Sequence, residues 1–173
     1  LVISSSNTAA HVAGALGTPV YCMLPQSLGH GRRWWWFPRE PMCPWYPNLQ
    51  RFFQRQRNEW LDVIRDVGLA LLDFGVAKGA VAKPGPYLRV MGKAFADIGK
   101  PEHAEHLYQR LGREPGLAGE SLFLMAGLRK AAGATDQALQ LYDQAIAAKP
   151  DLWQALNAKG VLLASTLRFD EAI

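Results

Sequence analysis

Apolar and polar positions change rhythm along the chain, and each change predicts a different element. Leu1, Val2 and Ile3 form a short apolar run that breaks into Ser4, Ser5, Ser6, Asn7 and Thr8. Small residues (Ala9, Ala10, Ala13, Gly14, Ala15) then carry a helix to Gly17, and Val20 to Leu24 resumes the apolar run. This order predicts a β-turn-α-turn-β unit. Ser, Asn and Thr suit the helix start because their side-chain oxygens accept unpaired first-turn amides. Gly17 followed by Pro19 supplies the stop. A helix of Ala and Gly can lie with its backbone close to whatever sits beneath it. Leu49 to Phe53 reads as a further short strand, and Asn58 is expected to cap a helix running to about Ala77. Its apolar positions Trp60, Leu61, Ile64, Val67, Leu71 and Leu72 recur at helical spacing and are expected to form its buried face.

Past this helix, Gly79, Pro84, Gly85 and Pro86 mark residues 79–86 as a linker. The pattern then repeats every 34 residues: Ala104, Ala138 and Ala172 share one phase, Gly92, Ala126 and Gly160 a second, Leu88, Leu122 and Leu156 a third. Tyr108 and Tyr142 match as well, and Gly99 and Gly133 fall where paired helices would turn. A period of this length predicts helix pairs that stack on their neighbours. Small residues at the first two phases let the paired helices approach, and the leucines and tyrosines fill the space around them.

Residues 26–47 form a long loop rich in Pro, Gly and aromatics, and such loops either serve function or pack on their own side chains. Trp34, Trp35, Trp36, Phe37, Trp45 and Tyr46 could stack on a base or sugar, or make a satellite core. Arg32, Arg33, Arg39, Arg51, Arg55 and Arg57 share one stretch with a single acid, Glu40, and no lysine precedes Lys78. That local excess suits an anionic ligand, whereas nucleic-acid binding calls for a longer lysine-rich stripe. The 173 residues, 49% hydrophobic and 20% charged with a formal charge of +4, have ordinary globular composition. No apolar run reaches the roughly 20 residues that span a bilayer, and no secretory leader pattern opens the chain. Because it starts inside a strand and stops inside a helix, the chain reads as an excised piece of a longer protein. Cys22 and Cys43 lack metal-type spacing and read as plain thiols.

The run SNTAAHVAGALGTPVYCMLP, then RRWWW and PWYPNLQRFFQ, resembles the donor-binding lobe of bacterial GT-B glycosyltransferases of the heptosyltransferase-like family 9, in the branch fused to tetratricopeptide repeats. The resemblance rests on Leu1 to Ser4, Thr8, His11, Ala13 to Gly17, Pro19, Leu24, Pro25 and Pro44 to Pro47. Many members carry an acid five positions before the motif histidine, where this chain has Ser6. The 34-residue pattern resembles tetratricopeptide repeats in its own right. The expected fold is therefore α/β followed by all-α. Residues 1–78 would be a partial Rossmann-like GT-B C-terminal lobe, and 87–173 about two and a half tetratricopeptide units in a truncated α-solenoid.

In an open parallel sheet, ligands sit beyond the carboxyl ends of the strands, where a helix start offers free amides and a positive dipole end to a phosphate. The candidate donor-binding residues are Ser6, Asn7, Thr8 and His11, with Gly29, Arg32, Arg33 and Trp34 as further donor or acceptor contacts. Ser6, Asn7 and Thr8 could equally be plain caps, and His11 a packed or surface residue. The glycines flanking His30, Gly29 and Gly31, are not a nucleotide motif by themselves. His103 and His106 are three apart on one helix, are expected to point outward, and have no third ligand, so no metal is expected there. The sequence holds no Gly-x-Ser-x-Gly elbow, Walker loop or paired-cysteine zinc pattern. The resemblance implies sugar transfer from a nucleotide-sugar donor to a hydroxyl acceptor, with inversion and no divalent metal or other cofactor. The general base would lie in a preceding lobe, so the fragment alone is expected to be inactive. Its expected partners are the nucleotide sugar and a protein or peptide in the repeat groove, with no nucleic acid and no transmembrane segment, in the cytoplasm. The alternative is an interaction scaffold whose transferase lobe is a degenerate remnant.

Overall fold

The computed structural model describes residues 1–26 and 43–166. The chain divides into two compact units, Leu1–Gly75 and Val76–Ile173. In the first, β1 (Val2–Ser5), α1 (Thr8–Ala15), β2 (Val20–Leu24), β3 (Leu49–Phe53) and α2 (Leu61–Ala77) follow in order, with the last turn of α2 crossing the division. The three strands are parallel in the order β1-β2-β3, with Val2 opposite Val20 and Val20 opposite Leu49. Side chains alternate across β2, so this central strand feeds two cores. Val20, Cys22 and Leu24 meet Ala10 and Ala13 of α1 together with Cys43 and Leu49. Tyr21 on the opposite face packs with Val63 and Val67 of α2, joined by Met23, Phe52, Ala70 and Phe74.

At the end of α1 the chain closes as Gly17 and Pro19 suggest. Gly17 takes a φ of +72°, its amide bonds the Gly14 carbonyl, and the Thr18 amide bonds that of Ala13. Only a residue without a β-carbon enters that conformation cheaply.

Cys22 and Cys43 are free thiols in the same core, 0% and 1% exposed. Burial pushes the Cys22 thiol up to about 12, and the neighbouring Cys43 adds to the rise. The charged form is disfavoured only while the chain is folded, so this group's contribution to stability is full below its ordinary value near 9 and is lost as pH climbs toward 12. Cys22 is expected to stay unmodified by iodoacetamide at pH 8 in buffer and to alkylate fully in urea. Rapid labelling of Cys22 in the folded protein would contradict its burial.

The start and inner face of α2 differ from expectation. Asn58 adopts a left-handed φ of 65° and stands outside the helix, and Glu59 Oε1 instead accepts the Leu61 amide at 3.0 Å. Of the apolar positions, Val67 and Leu72 are buried, whereas Trp60, Ile64 and Leu71 are exposed at 37%, 52% and 43%. The helix carries two apolar stripes. The one formed by Val63, Val67, Ala70 and Phe74 meets the sheet because Tyr21 and Phe52 lie opposite it. Arg65, also on α2, is buried and pairs with Asp62 at 3.1 Å and Asp66 at 2.7 Å.

The second unit is helical: α3 (Gly85–Asp97), α4 (Pro101–Leu111), α5 (Ala118–Ala131), α6 (Thr135–Ala148) and α7 (Trp153–Ser165). Gly85 and Pro86 lie in the first turn of α3, so the expected linker ends at Pro84. Proline fits there because a first-turn amide has no helical acceptor to lose. Gly99 and Gly133, at φ of +74° and +75°, end α3 and α5 with the same closure: the Lys100 amide bonds the Phe95 carbonyl, and the Ala134 amide bonds that of Arg129. The turns are 34 residues apart, as the pattern requires. Ala104, Ala126 and Ala138 are fully buried at the small-residue phases. A β-carbon on Gly92 would run into the Tyr108 ring, so glycine there lets α3 and α4 close.

His103 does not point outward. It is 6% exposed, with its ring 5.0 Å from that of Phe95, while His106 is exposed as expected. The helix α4 turns His103 and Ala104 inward together, and the flat imidazole ring packs against the Phe95 ring. Among the described residues no group of three or more His, Cys, Asp and Glu side chains is placed to hold a metal ion. No described helix is long and apolar enough to cross a membrane.

Candidate functional site

The first helix of the sheet unit, α1, begins where β1 ends, so its amino terminus opens at the carboxyl edge of the parallel sheet. Ser5, Ser6, Asn7, Thr8 and Ala9 are all exposed there. Asn7 is the cap: its backbone is extended, and its Oδ1 accepts the Ala10 amide at 3.2 Å and the Ser4 hydroxyl at 3.1 Å. Between cap and Ala10, the amides of Thr8 and Ala9 meet no backbone acceptor among the described residues. The first turn of α1 has no acidic residue, so the positive end of the helix dipole is not offset by the helix itself.

His11 lies one turn further along α1 and is half-buried. Its Nδ1 is 3.2 Å from the Tyr46 hydroxyl, and the two rings stand edge to face at 5.7 Å and 68°. Gly14 makes room for this partner, since a β-carbon there would lie 2.7 Å from Tyr46 Cγ. The segment carrying Tyr46 is tied to the opposite end of the sheet. Its carbonyl accepts the Leu49 amide at 3.0 Å, the Asn48 side chain donates to the Thr18 carbonyl, and the Asn48 carbonyl accepts the Val20 amide at 3.0 Å.

The carboxyl ends of β2 and β3 are joined by two glutamines. The Gln54 amide bonds the Leu24 carbonyl at 2.8 Å, its side chain accepts the Gln26 amide at 3.0 Å, and Gln26 Nε2 donates to the Arg55 carbonyl at 2.7 Å. Gln54 is 6% exposed, so both ends of its amide need partners, and this bridge provides one of them. Arg55, counted in sequence among the cationic residues for an anion, instead faces the carboxylates of Asp62 and Asp66 at 3.6 and 3.2 Å. Arg51 lies over the Phe53 ring at 5.9 Å.

Of the expected site residues, Ser6, Asn7, Thr8 and His11 come together at one edge of the sheet. Gly29, Arg32, Arg33 and Trp34, with His30 and Gly31, lie outside the described residues. Reading the sequence missed the contact from Tyr46 to His11 and the bridge of Gln26 with Gln54. The Pro44 to Pro47 motif flagged the element that carries Tyr46, but no local periodicity joins residues 35 apart. The glutamines left no signal at all. The arrangement can do one kind of work: backbone donors, an uncompensated helix end and an oriented imidazole can hold an anion.

No protein-family model matches the chain. A 77-residue segment is similar to protein FlbA of Caulobacter vibrioides at 32% identity, which is 44% of this chain and 12% of that protein. The match thus spans about an eighth of its relative's length.

Proposed function

We propose that this chain belongs to a glycosyltransferase of GT-B type, comprising the closing part of its nucleotide-sugar lobe and a tetratricopeptide array, working in the cytoplasm. The donor's diphosphate would lie at the amino end of α1, against the Thr8 and Ala9 amides, with Ser6 and Thr8 hydroxyls beside it and His11 donating a hydrogen bond. The single observation that supports this is the exposed helix start at the carboxyl edge of three parallel strands, with no acid in its first turn. Donors preset toward a leaving diphosphate stabilise the charge that grows as the sugar departs, without reorganisation at that moment. No metal or other cofactor enters this scheme. The proton of the acceptor hydroxyl would be removed by a base outside this chain, so the chain alone should bind the nucleotide without turnover.

Calorimetric titration of uridine, guanosine and adenosine diphosphates onto the full-length protein tests the reading. His11→Ala should weaken the diphosphate that binds by about 10- to 100-fold, the scale of a hydrogen bond to a charged group. Equal affinity in wild type and variant would remove His11 from the site, and binding of none of the three would dismiss the donor lobe.

A second reading, an interaction scaffold, is favoured by one feature of the helical unit. Tyr87 and Val90, three apart on α3, are exposed at 52% and 70%, and Trp153 at the start of α7 at 66%. In this reading the repeats would hold a protein or peptide and the sheet unit would bind nothing.

A further inference from the structure

We infer that Gln54 is a ligand-contacting residue whose side-chain Nε2–H2 donates to an uncharged oxygen, on the sugar or on the nucleoside, of a ligand held at the carboxyl edge of the sheet. The identity of the ligand rests on the proposed function; the buried donor does not.

Gln54 is the first residue past β3 and is only 6% exposed. Its backbone amide bonds the Leu24 carbonyl at 2.8 Å, and its Oε1 accepts the Gln26 backbone amide at 3.0 Å. A backbone N–H can only donate, so this contact fixes which end of the carboxamide is oxygen and which is nitrogen. The Nε2 end carries two protons and has no acceptor among the described residues. A donor left buried and unpaired costs the desolvation of that group, and folded chains keep few of them. Methionine would fill the same space without that cost. The carboxamide is explained when an acceptor arrives with a ligand, because binding then recovers what folding left unpaired.

Place and charge balance together indicate what that acceptor is. Ligands of open parallel sheets lie beyond the carboxyl ends of the strands. The helix α1 starts beyond β1 and Gln54 lies beyond β3, with β2 between them. Neighbouring strands are about 4.8 Å apart, which separates the two by about 10 Å across the edge. A diphosphate on the α1 amides therefore stops short of Gln54, and the sugar or nucleoside extending from it covers the distance. Charge beside Gln54 is already balanced. Arg55, the next residue, faces Asp62 and Asp66, and Arg65 pairs with the same two carboxylates. An uncharged carboxamide next to a neutralised ionic group favours an uncharged acceptor over a second phosphate.

The test watches the side-chain amide itself. In the 15N-labelled 173-residue chain the Gln54 Nε2–H2 signals are assigned through bonds from its backbone, and uridine, guanosine and adenosine diphosphates and their glucose esters are titrated in turn. The nucleotide that moves the Thr8 and Ala9 amides should also move a Gln54 Nε2 proton downfield and slow its exchange with water. Movement with the bare diphosphate places the acceptor on the nucleoside, and movement with the glucose ester alone places it on the sugar. Gln54→Glu keeps an oxygen for the Gln26 amide but loses the donor, and should weaken the same ligand about fivefold, the scale of one neutral hydrogen bond. Thr8 and Ala9 amides that move while the Gln54 Nε2–H2 signals stay in place overturn the inference and leave the proposed function standing. Unchanged affinity in Gln54→Glu does the same. If no nucleotide moves either set of signals, both fall.

Discussion

Tyr21→Ala should be the most damaging single change in the sheet unit, lowering its stability by about 3–5 kcal/mol, the range for deleting a buried aromatic ring. Tyr21 stands on the central strand at 8% exposure, edge-on to Phe52 at 5.4 Å and to Phe74 at 6.5 Å. Its hydroxyl donates to the Ala70 carbonyl at 3.0 Å, tying α2 to the sheet. Removing the ring leaves a cavity between helix and sheet that neither Val63 nor Val67 is long enough to fill. Tyr21→Phe keeps the packing and loses only the hydrogen bond, at about 1 kcal/mol. Hydrogen exchange at the β2 amides measures both, because it follows this unit's opening separately from that of the helices. Equal effects of the two variants would mean that the hydroxyl, not the ring, holds α2 in place.

In the helical unit, Leu88→Ala should cost about 2–5 kcal/mol and Leu156→Ala under about 1 kcal/mol, although the two leucines occupy the same phase of the repeat. Leu88 is 0% exposed on α3, while Leu156 on α7 is 50% exposed. A helix buries only the face that its neighbours cover. Within the described residues α3 is covered by α4, and α7 packs against α6. Thermal unfolding followed by circular dichroism at 222 nm separates the cases, and comparable losses from both variants would contradict the burial difference.

Much of the architecture was legible because its signals are local. The cap at Asn7, the stop at Gly17 and the turns at Gly99 and Gly133 depend on a few neighbouring residues and on backbone angles that glycine enters cheaply. The strands Val20–Leu24 and Leu49–Phe53 were readable as apolar runs between breakers. The inner face of α2 was not, because that helix has two apolar stripes and periodicity weighs them equally. His103 was misread for a related reason, since a histidine at the rim of an apolar face packs inward only if an aromatic such as Phe95 waits there.

The same division holds at the candidate site. Ser6, Asn7, Thr8 and His11 are close in sequence, so any helix starting at Asn7 gathers them, and the amino-acid order alone determines that cluster. Which neighbours they acquire depends on chain segments far apart. Tyr46 reaches His11 only because α1 lies across the sheet with Gly14 against the segment that leads into β3. Arg55 is drawn from the expected cationic cluster to Asp62 and Asp66 because β3 delivers it beside α2. Caps, turns and periods are set by interactions over a few residues and are written in the sequence. The choice of apolar stripe, the partner of an imidazole and the fate of a guanidinium belong to the tertiary structure, because each is a competition among distant groups that only the folded chain brings within reach.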